Sequence, residues 1–171
     1  MMLSAKHGRR RAFTLIEIIV VVVIIAIAAF MAVPMLSSAA DVQLRAAANM
    51  IAADIEYAKS LAITRQRPHS VVFDTANHGY EVQDQSATVV PHPLSSGGLA
   101  VSFSGDSRLN KVTIVSADFD GAADKTVTFD DLGSPYSSGT SPLVSGVITL
   151  AADGMTMTIT IEPVTGYVTI D

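Results

Sequence analysis

Cysteine is absent from the chain, which excludes both a disulfide framework and a thiolate site. The 171 residues also contain no Gly-x-Ser-x-Gly turn and no glycine-rich phosphate loop with lysine. No motif therefore supports a serine nucleophile or a nucleotide site. We find no internal repeat, and we expect a non-enzymatic protein without a cofactor. The length suits one compact domain preceded by a long N-terminal helix, which we call the stem.

Basic residues are scarce beyond the first twelve positions. Residues 1–12 hold four Lys and Arg and no acidic residue, so the remainder has seven Lys and Arg against sixteen Asp and Glu, a formal charge of −9. Nucleic-acid binding depends on clustered basic side chains. The acidic remainder argues against a nucleic-acid partner.

A long apolar run is present near the N-terminus. The nineteen residues Ile18 to Leu36 include no charge, and a helix of that length, rising about 1.5 Å per residue, reaches roughly 28 Å, close to the hydrocarbon core of a bilayer. Lys6 and the three arginines 9–11 precede the run and favour a cytoplasmic N-terminus. Glu17 stands at its edge, where a carboxylate needs a partner or a function.

Two simpler interpretations of this region stay open. A cleaved secretory signal has an apolar region of about 7–15 residues and a small-residue cleavage site, which Ala26, Ala28 and Ala29 imitate. A plain single-pass anchor needs only the apolar run and the arginines. Neither interpretation explains why the carboxylate of Glu17 stands at the edge of the apolar run.

The residues Phe13-Thr14-Leu15-Ile16-Glu17, between a basic leader and an apolar run, resemble the class III leader of type IV pilins and type II secretion pseudopilins. In that family a prepilin peptidase cuts before the phenylalanine and methylates the new N-terminus. The resemblance implies cleavage between Ala12 and Phe13, N-methylation of Phe13 and a role for Glu17 in assembly. The family usually has glycine where Ala12 stands.

A second helical pattern follows the apolar run. Its apolar positions alternate at spacings of four and three and form one stripe: Leu44, Ala48, Ile51, Ile55, Ala58 and Ala62. No glycine or proline interrupts residues 35–66, so we predict one long helix from Phe13 to about Arg65. Pro34 should kink this helix, because proline removes a backbone donor and clashes with the preceding turn.

Strand patterns begin after Arg67-Pro68. Ser70 to Asp74 and Tyr80 to Gln83 predict a hairpin. Further predicted strands are Leu99 to Phe103, Lys111 to Val115, Thr126 to Phe129, Val147 to Ala151, Met155 to Ile161 and Tyr167 to Ile170. Residues 91–98 predict a loop, and 133–146 predict a mobile loop. A helix followed by antiparallel strands predicts an α+β, pilin-like fold in which the helix packs on the sheet.

Few side chains suggest a metal site. Asp118, Asp120 and Asp124 flank a glycine and are weak calcium candidates, because alternate carboxylates can present oxygens to calcium. The alternative is an acidic turn between strands. His69 and the histidines at 78 and 92 have no i, i+4 pair, so we expect solvated loop side chains and no zinc.

Downstream segments add to the resemblance. Residues 53–63 with Arg67-Pro68, then Val127-Thr128-Phe129 and Thr165-Gly166-Tyr167-Val168, resemble H-type minor pseudopilins of type II secretion and the related FimT-like minor pilins. The resemblance implies a structural subunit of a short periplasmic pseudopilus. The implied partners are other pseudopilins, the prepilin peptidase and methyltransferase, and the inner-membrane assembly platform.

The implied organisation has four parts. They are a cleaved leader at 1–12, a transmembrane half of the stem helix at 13–36, an amphipathic half at 37–66, and a β-rich globular domain at 67–171. The implied location is the bacterial inner membrane, crossed once, with the N-terminus cytoplasmic and the globular domain periplasmic. A minor pilin of a type IV pilus and a single-pass envelope binding protein are the alternatives.

Overall fold

The structure is a computed structural model that describes residues 14–121, 125–137 and 141–171, with the side chains of residues 30–38 left outside the description. One helix, α1, spans Leu15–Arg65. In the described residues ten strands follow: β1 His69–Asp74, β2 Gly79–Asp84, β3 Ala100–Ser102, β4 Thr113–Phe119, β5 Thr126–Phe129, β6 Pro135–Ser137, β7 Ser141–Pro142, β8 Gly146–Ala152, β9 Met155–Ile161 and β10 Val168–Ile170. The chain divides into two units, Met1–Ser37 and Ser38–Asp171.

The end of α1 has a local cause. Gln66 adopts a left-handed φ of 52°, and the amide of Arg67 donates to the carbonyl of Ala62 at 3.2 Å. This is the hydrogen bond of a Schellman cap, in which glycine is the usual left-handed residue. The Gln66 side-chain amide donates to the carbonyls of Ile63 and Asp131, so it secures the cap and connects it to a later loop.

The second unit buries the predicted stripe of α1. All six stripe residues, Leu44 to Ala62, are at most 1% exposed, and Ala40 and Ala47 are buried beside them. These side chains share one hydrophobic core with residues of both sheets. The prediction of a helix packed on antiparallel strands is confirmed.

The strands form two antiparallel sheets. One has the order β3-β2-β1-β5-β6-β7, and the other has the order β10-β9-β8-β4. Buried and less buried positions alternate along β1 and β8, as expected when one face of a sheet packs on a core. The rings of Phe73 in one sheet and Phe119 in the other lie 5.8 Å apart, so the two sheets meet in the core.

Two predicted segments differ from the structure. The composition of residues 133–146 predicts a mobile loop, but β6 and β7 lie in this stretch and pair with each other. Its glycines, prolines and serines favour a loop, but β6 pairs with β5 and so provides the edge on which β7 pairs. The strand predicted at Lys111 to Val115 extends instead over Thr113–Phe119, because β8 pairs with it as far as Phe119.

Candidate functional site

The first turn of α1 is capped by a side chain. The Glu17 amide donates to the Thr14 carbonyl at 3.1 Å and to the Thr14 hydroxyl at 3.3 Å. Thr14 followed three residues later by glutamate is the sequence of a capping box. A carboxylate in the first turn also interacts favourably with the helix dipole. Sequence reasoning missed this cap, although the Thr-x-x-Glu spacing is its signal.

An apolar surface follows the cap. The large apolar side chains from Leu15 to Ile27 are 44% to 79% exposed in the single chain. Contiguous apolar surface on this scale marks an interaction site. The geometry therefore brings one carboxylate, Glu17, to the start of an uncovered apolar helix.

Within the described part of the chain, no helix has a stretch both long and apolar enough to cross a membrane. The span predicted at 13–36 includes residues whose side chains are outside the description, and it stays a prediction. Ala12 and Phe13 also lie outside the described residues, so cleavage and methylation stay predictions. The helix continues through Pro34, and the kink predicted there stays a prediction.

The acidic segment at the end of β4 accepts hydrogen bonds from backbone amides. Asp118 accepts a hydrogen bond from the Gly121 amide at 2.7 Å. Asp120 accepts from the amides of Val144 and Ser145, the latter at 2.7 Å. Burial acts to raise the pKa of Asp120, but these amide hydrogen bonds outweigh it and hold the pKa below its ordinary value.

Of the calcium candidates, Asp118 and Asp120 therefore stabilise the local backbone by accepting hydrogen bonds from its amides. Asp124 lies outside these residues, and within them no three His, Cys, Asp or Glu side chains group as metal ligands would. Calcium binding at Asp118, Asp120 and Asp124 stays a prediction.

The histidines have different environments. His92 lies in a loop, where its Nδ1 accepts hydrogen bonds from the amides of Leu94 and Ser95 at 3.0 and 3.2 Å. His69 is only 1% exposed, so the prediction of solvated loop histidines is wrong for it. The reason is its place at the start of β1, on the face that packs inward.

Polar contacts also attach α1 to the β-rich part of its unit. The Tyr80 hydroxyl on β2 donates to the Asp54 carboxylate on α1 at 2.6 Å. The Lys59 ammonium donates to Glu56 on its own helix and to the carbonyl of Gly166 at 3.0 Å. Both contacts join residues distant in sequence, and sequence reasoning identified neither.

Family models decide the relationship. The model of the prokaryotic N-terminal methylation motif matches residues 7–33, and the model of the type II transport protein GspH matches residues 47–165. The chain belongs to the GspH family. The methylation motif and the GspH family together imply a membrane-anchored protein with a periplasmic domain. The family and its fold are those of structural pilin-like proteins.

Solved structures resemble this GspH-family chain. The minor pseudopilin EpsH from the type 2 secretion system of Vibrio cholerae is 7% identical, with a TM-score of 0.54 over 75% of this chain and 96% of EpsH. The type IV minor pilin FimU of Pseudomonas aeruginosa is 18% identical, with TM-scores of 0.48 and 0.46 in two crystal forms. The matches to the two FimU crystal forms cover 75% of this chain and, respectively, 92% and 87% of FimU. Curated protein sequences yielded no match. The likeness to EpsH shows a shared pilin-like fold.

Proposed function

We propose that this GspH-family protein is a minor pseudopilin, a structural subunit of the short periplasmic filament of a type II secretion system. The observation that carries the proposal is the GspH family match over residues 47–165. The shared fold with EpsH and the exposed apolar start of α1 support it. In this role the protein has no catalytic chemistry and helps the machine to export folded proteins.

The N-terminal residues supply the assembly mechanism. The prepilin peptidase removes residues 1–12 and methylates Phe13, which then carries a new amine. Uncovered apolar side chains of α1 pack against the stems of neighbouring subunits. The Glu17 carboxylate binds the amine of a neighbour's Phe13, which offsets the cost of about 2.5–3.5 kcal/mol for a lone carboxylate in a membrane. A charge that is unfavourable in the single subunit thereby favours the assembled state.

The proposed location follows from the same residues. The basic leader keeps the N-terminus in the cytoplasm, residues 13–36 cross the inner membrane once, and residues 67–171 lie in the periplasm. The partners are other pseudopilins in the filament, the peptidase that processes the leader, and the inner-membrane platform that adds subunits. The formal charge of −9 beyond residue 12 argues against a nucleic-acid partner.

Deletion of the gene in its native host tests the function. We expect proteins normally secreted to accumulate, folded, in the periplasm, and a plasmid copy of the wild-type gene to restore their release. Surface pili and pilus-driven motility are the control and should be unchanged. Normal secretion together with loss of surface pili would contradict the proposal and favour a minor pilin of a type IV pilus.

A further inference from the structure

A small cavity lies where α1 ends beside β1 and β2. Its volume is about 100 Å³, and it is lined by Arg65, Arg67, His69, Asp84, Gln85 and Ser86. We call it the His69 pocket. Arg65 is the last residue of α1, and His69 and Asp84 are opposite each other in the β1–β2 register. The helix cap and the strand pairing therefore bring these side chains together.

His69 has one ring nitrogen without a partner in the described residues. Its Nδ1 lies 2.9 Å from the carbonyl of Arg67. Because a carbonyl only accepts, Nδ1 carries the hydrogen. Its Nε2 is buried and has no hydrogen-bond partner within the described part of the chain. Buried polar atoms nearly always have a hydrogen-bond partner, so an unpartnered nitrogen on a residue that lines a polar cavity suggests that the cavity binds a polar group.

The two arginines of the pocket have no ion pair either. Four other cations form ion pairs, namely Arg45, Lys59, Arg108 and Lys111, and Lys125 donates to the Thr75 hydroxyl. Within residues 14–121, 125–137 and 141–171, neither Arg65 nor Arg67 is in an ion pair. Two exposed guanidinium groups therefore lie at the pocket beside one buried imidazole.

Asp84 neutralises only part of the positive charge of Arg65 and Arg67. Its Oδ1 accepts hydrogen bonds from the amides of Thr88 at 3.0 Å and Ser86 at 2.8 Å. These amides, with help from His69 and Arg65, hold the pKa of Asp84 below its ordinary value despite opposition from desolvation. The carboxylate is therefore charged at neutral pH and balances one arginine. The pocket keeps a net positive charge from the other.

We propose that the His69 pocket binds a small oxyanion group, a carboxylate or a phosphate. Guanidinium groups match the paired oxygens of both groups. Nε2 of His69 adds a third contact: it accepts from the hydroxyl of a hydrogen phosphate, or donates to an oxyanion when the ring carries both hydrogens. The cavity has room for one such group, since a water molecule in the liquid occupies about 30 Å³. The inference is independent of the proposed function, because it depends only on residues of the folded domain.

Nuclear magnetic resonance of the full chain in detergent micelles tests the pocket. Histidine ring nitrogens are labelled with ¹⁵N, and sodium phosphate and sodium acetate are titrated separately, with sodium chloride at equal ionic strength as the salt control. We expect a saturable shift of the His69 Nε2 signal with at least one of the two anions, at roughly millimolar concentration. The His92 signals should stay constant. The more effective anion identifies the preferred group.

Variants separate a specific site from general salt effects. Arg65→Gln and Arg67→Gln should each weaken binding roughly tenfold, because each removes a charge-assisted contact. Arg45→Gln is the matched control on the same helix and should leave binding unchanged. Circular dichroism of each variant checks that the fold is intact. An Nε2 signal that neither anion moves, or equal shifts in all three variants, would overturn the proposal and leave water as the occupant.

Discussion

Removal of one hydroxyl, by Tyr80→Phe, tests how α1 is held on the strands. Tyr80 is 3% exposed, and its hydroxyl donates to Asp54 at 2.6 Å. Phenylalanine retains the ring packing against Phe73 and Phe103, whose centroids lie 5.7 and 6.2 Å away. The substitution therefore removes the hydrogen bond and leaves the half-buried Asp54 carboxylate without this donor.

The expected loss of stability is modest because Asp54 is partly solvated. Hydrogen bonds to charged groups contribute about 1.5–3 kcal/mol, and solvent screening at a half-exposed carboxylate reduces this to about 1–2 kcal/mol. For a domain of this size the melting temperature should fall by about 4–7 °C.

The loss should also depend on pH. Burial raises the pKa of Asp54, while the hydrogen bond from Tyr80 and the charge of His92 lower it in part. A carboxyl whose pKa is raised by folding contributes stability that is present below the unfolded pKa of about 4 and is lost as the pH rises through the folded pKa. Tyr80→Phe removes a contact that favours the charged form. The pKa of Asp54 should rise further, so the loss of stability should be larger at about pH 7 than at about pH 4.

Thermal unfolding of the purified chain, followed by circular dichroism at both pH values, measures the effect. Tyr57→Phe is the matched control, because Tyr57 packs against the same core and no hydrogen bond of its hydroxyl is found within the described residues. It should change the melting temperature little. Equal losses for Tyr80→Phe and Tyr57→Phe, or a loss for Tyr80→Phe that is the same at both pH values, would refute the reasoning.

Three further predictions concern a turn and the N-terminus. Gly166→Ala should destabilise by roughly 1–3 kcal/mol in urea unfolding, because φ is +58° and a Cβ would lie 2.9 Å from the buried ring of Phe129. Gly154→Ala, at φ +84° in open space, should cost less, and equal costs would contradict the steric argument. Mass spectrometry should find a chain that begins with N-methylated Phe13, and retention of Ala12 would contradict the predicted processing. Glu17→Leu should leave insertion and cleavage intact but reduce crosslinking to neighbouring pseudopilins severalfold in membranes, and undiminished crosslinking would exclude Glu17 as the docking charge.

Local patterns in the sequence were sufficient to predict much of the fold. The stripe from Leu44 to Ala62 predicted the buried face of α1, since helix periodicity is a property of neighbouring residues. The hairpin at Ser70 to Gln83 was predicted because turn residues separate two alternating runs. The motif from Phe13 to Glu17 indicated the family because its five residues are consecutive and lie between a basic leader and an apolar run.

Contacts between distant residues were decided only by the tertiary structure. Polar residues such as Asp54 and Tyr80 lie 26 positions apart, and no periodicity predicts that they meet. Residues 135–137 form a strand because β5 provides a paired edge, and residues 141–142 pair with that strand in turn, although the composition of this stretch favours a loop. His69 gives no sequence signal of burial, because a single histidine at a strand start is compatible with either face. Its burial beside Arg65 and Asp84 depends on strand register and on the direction in which α1 ends, and both are set by packing of the whole domain.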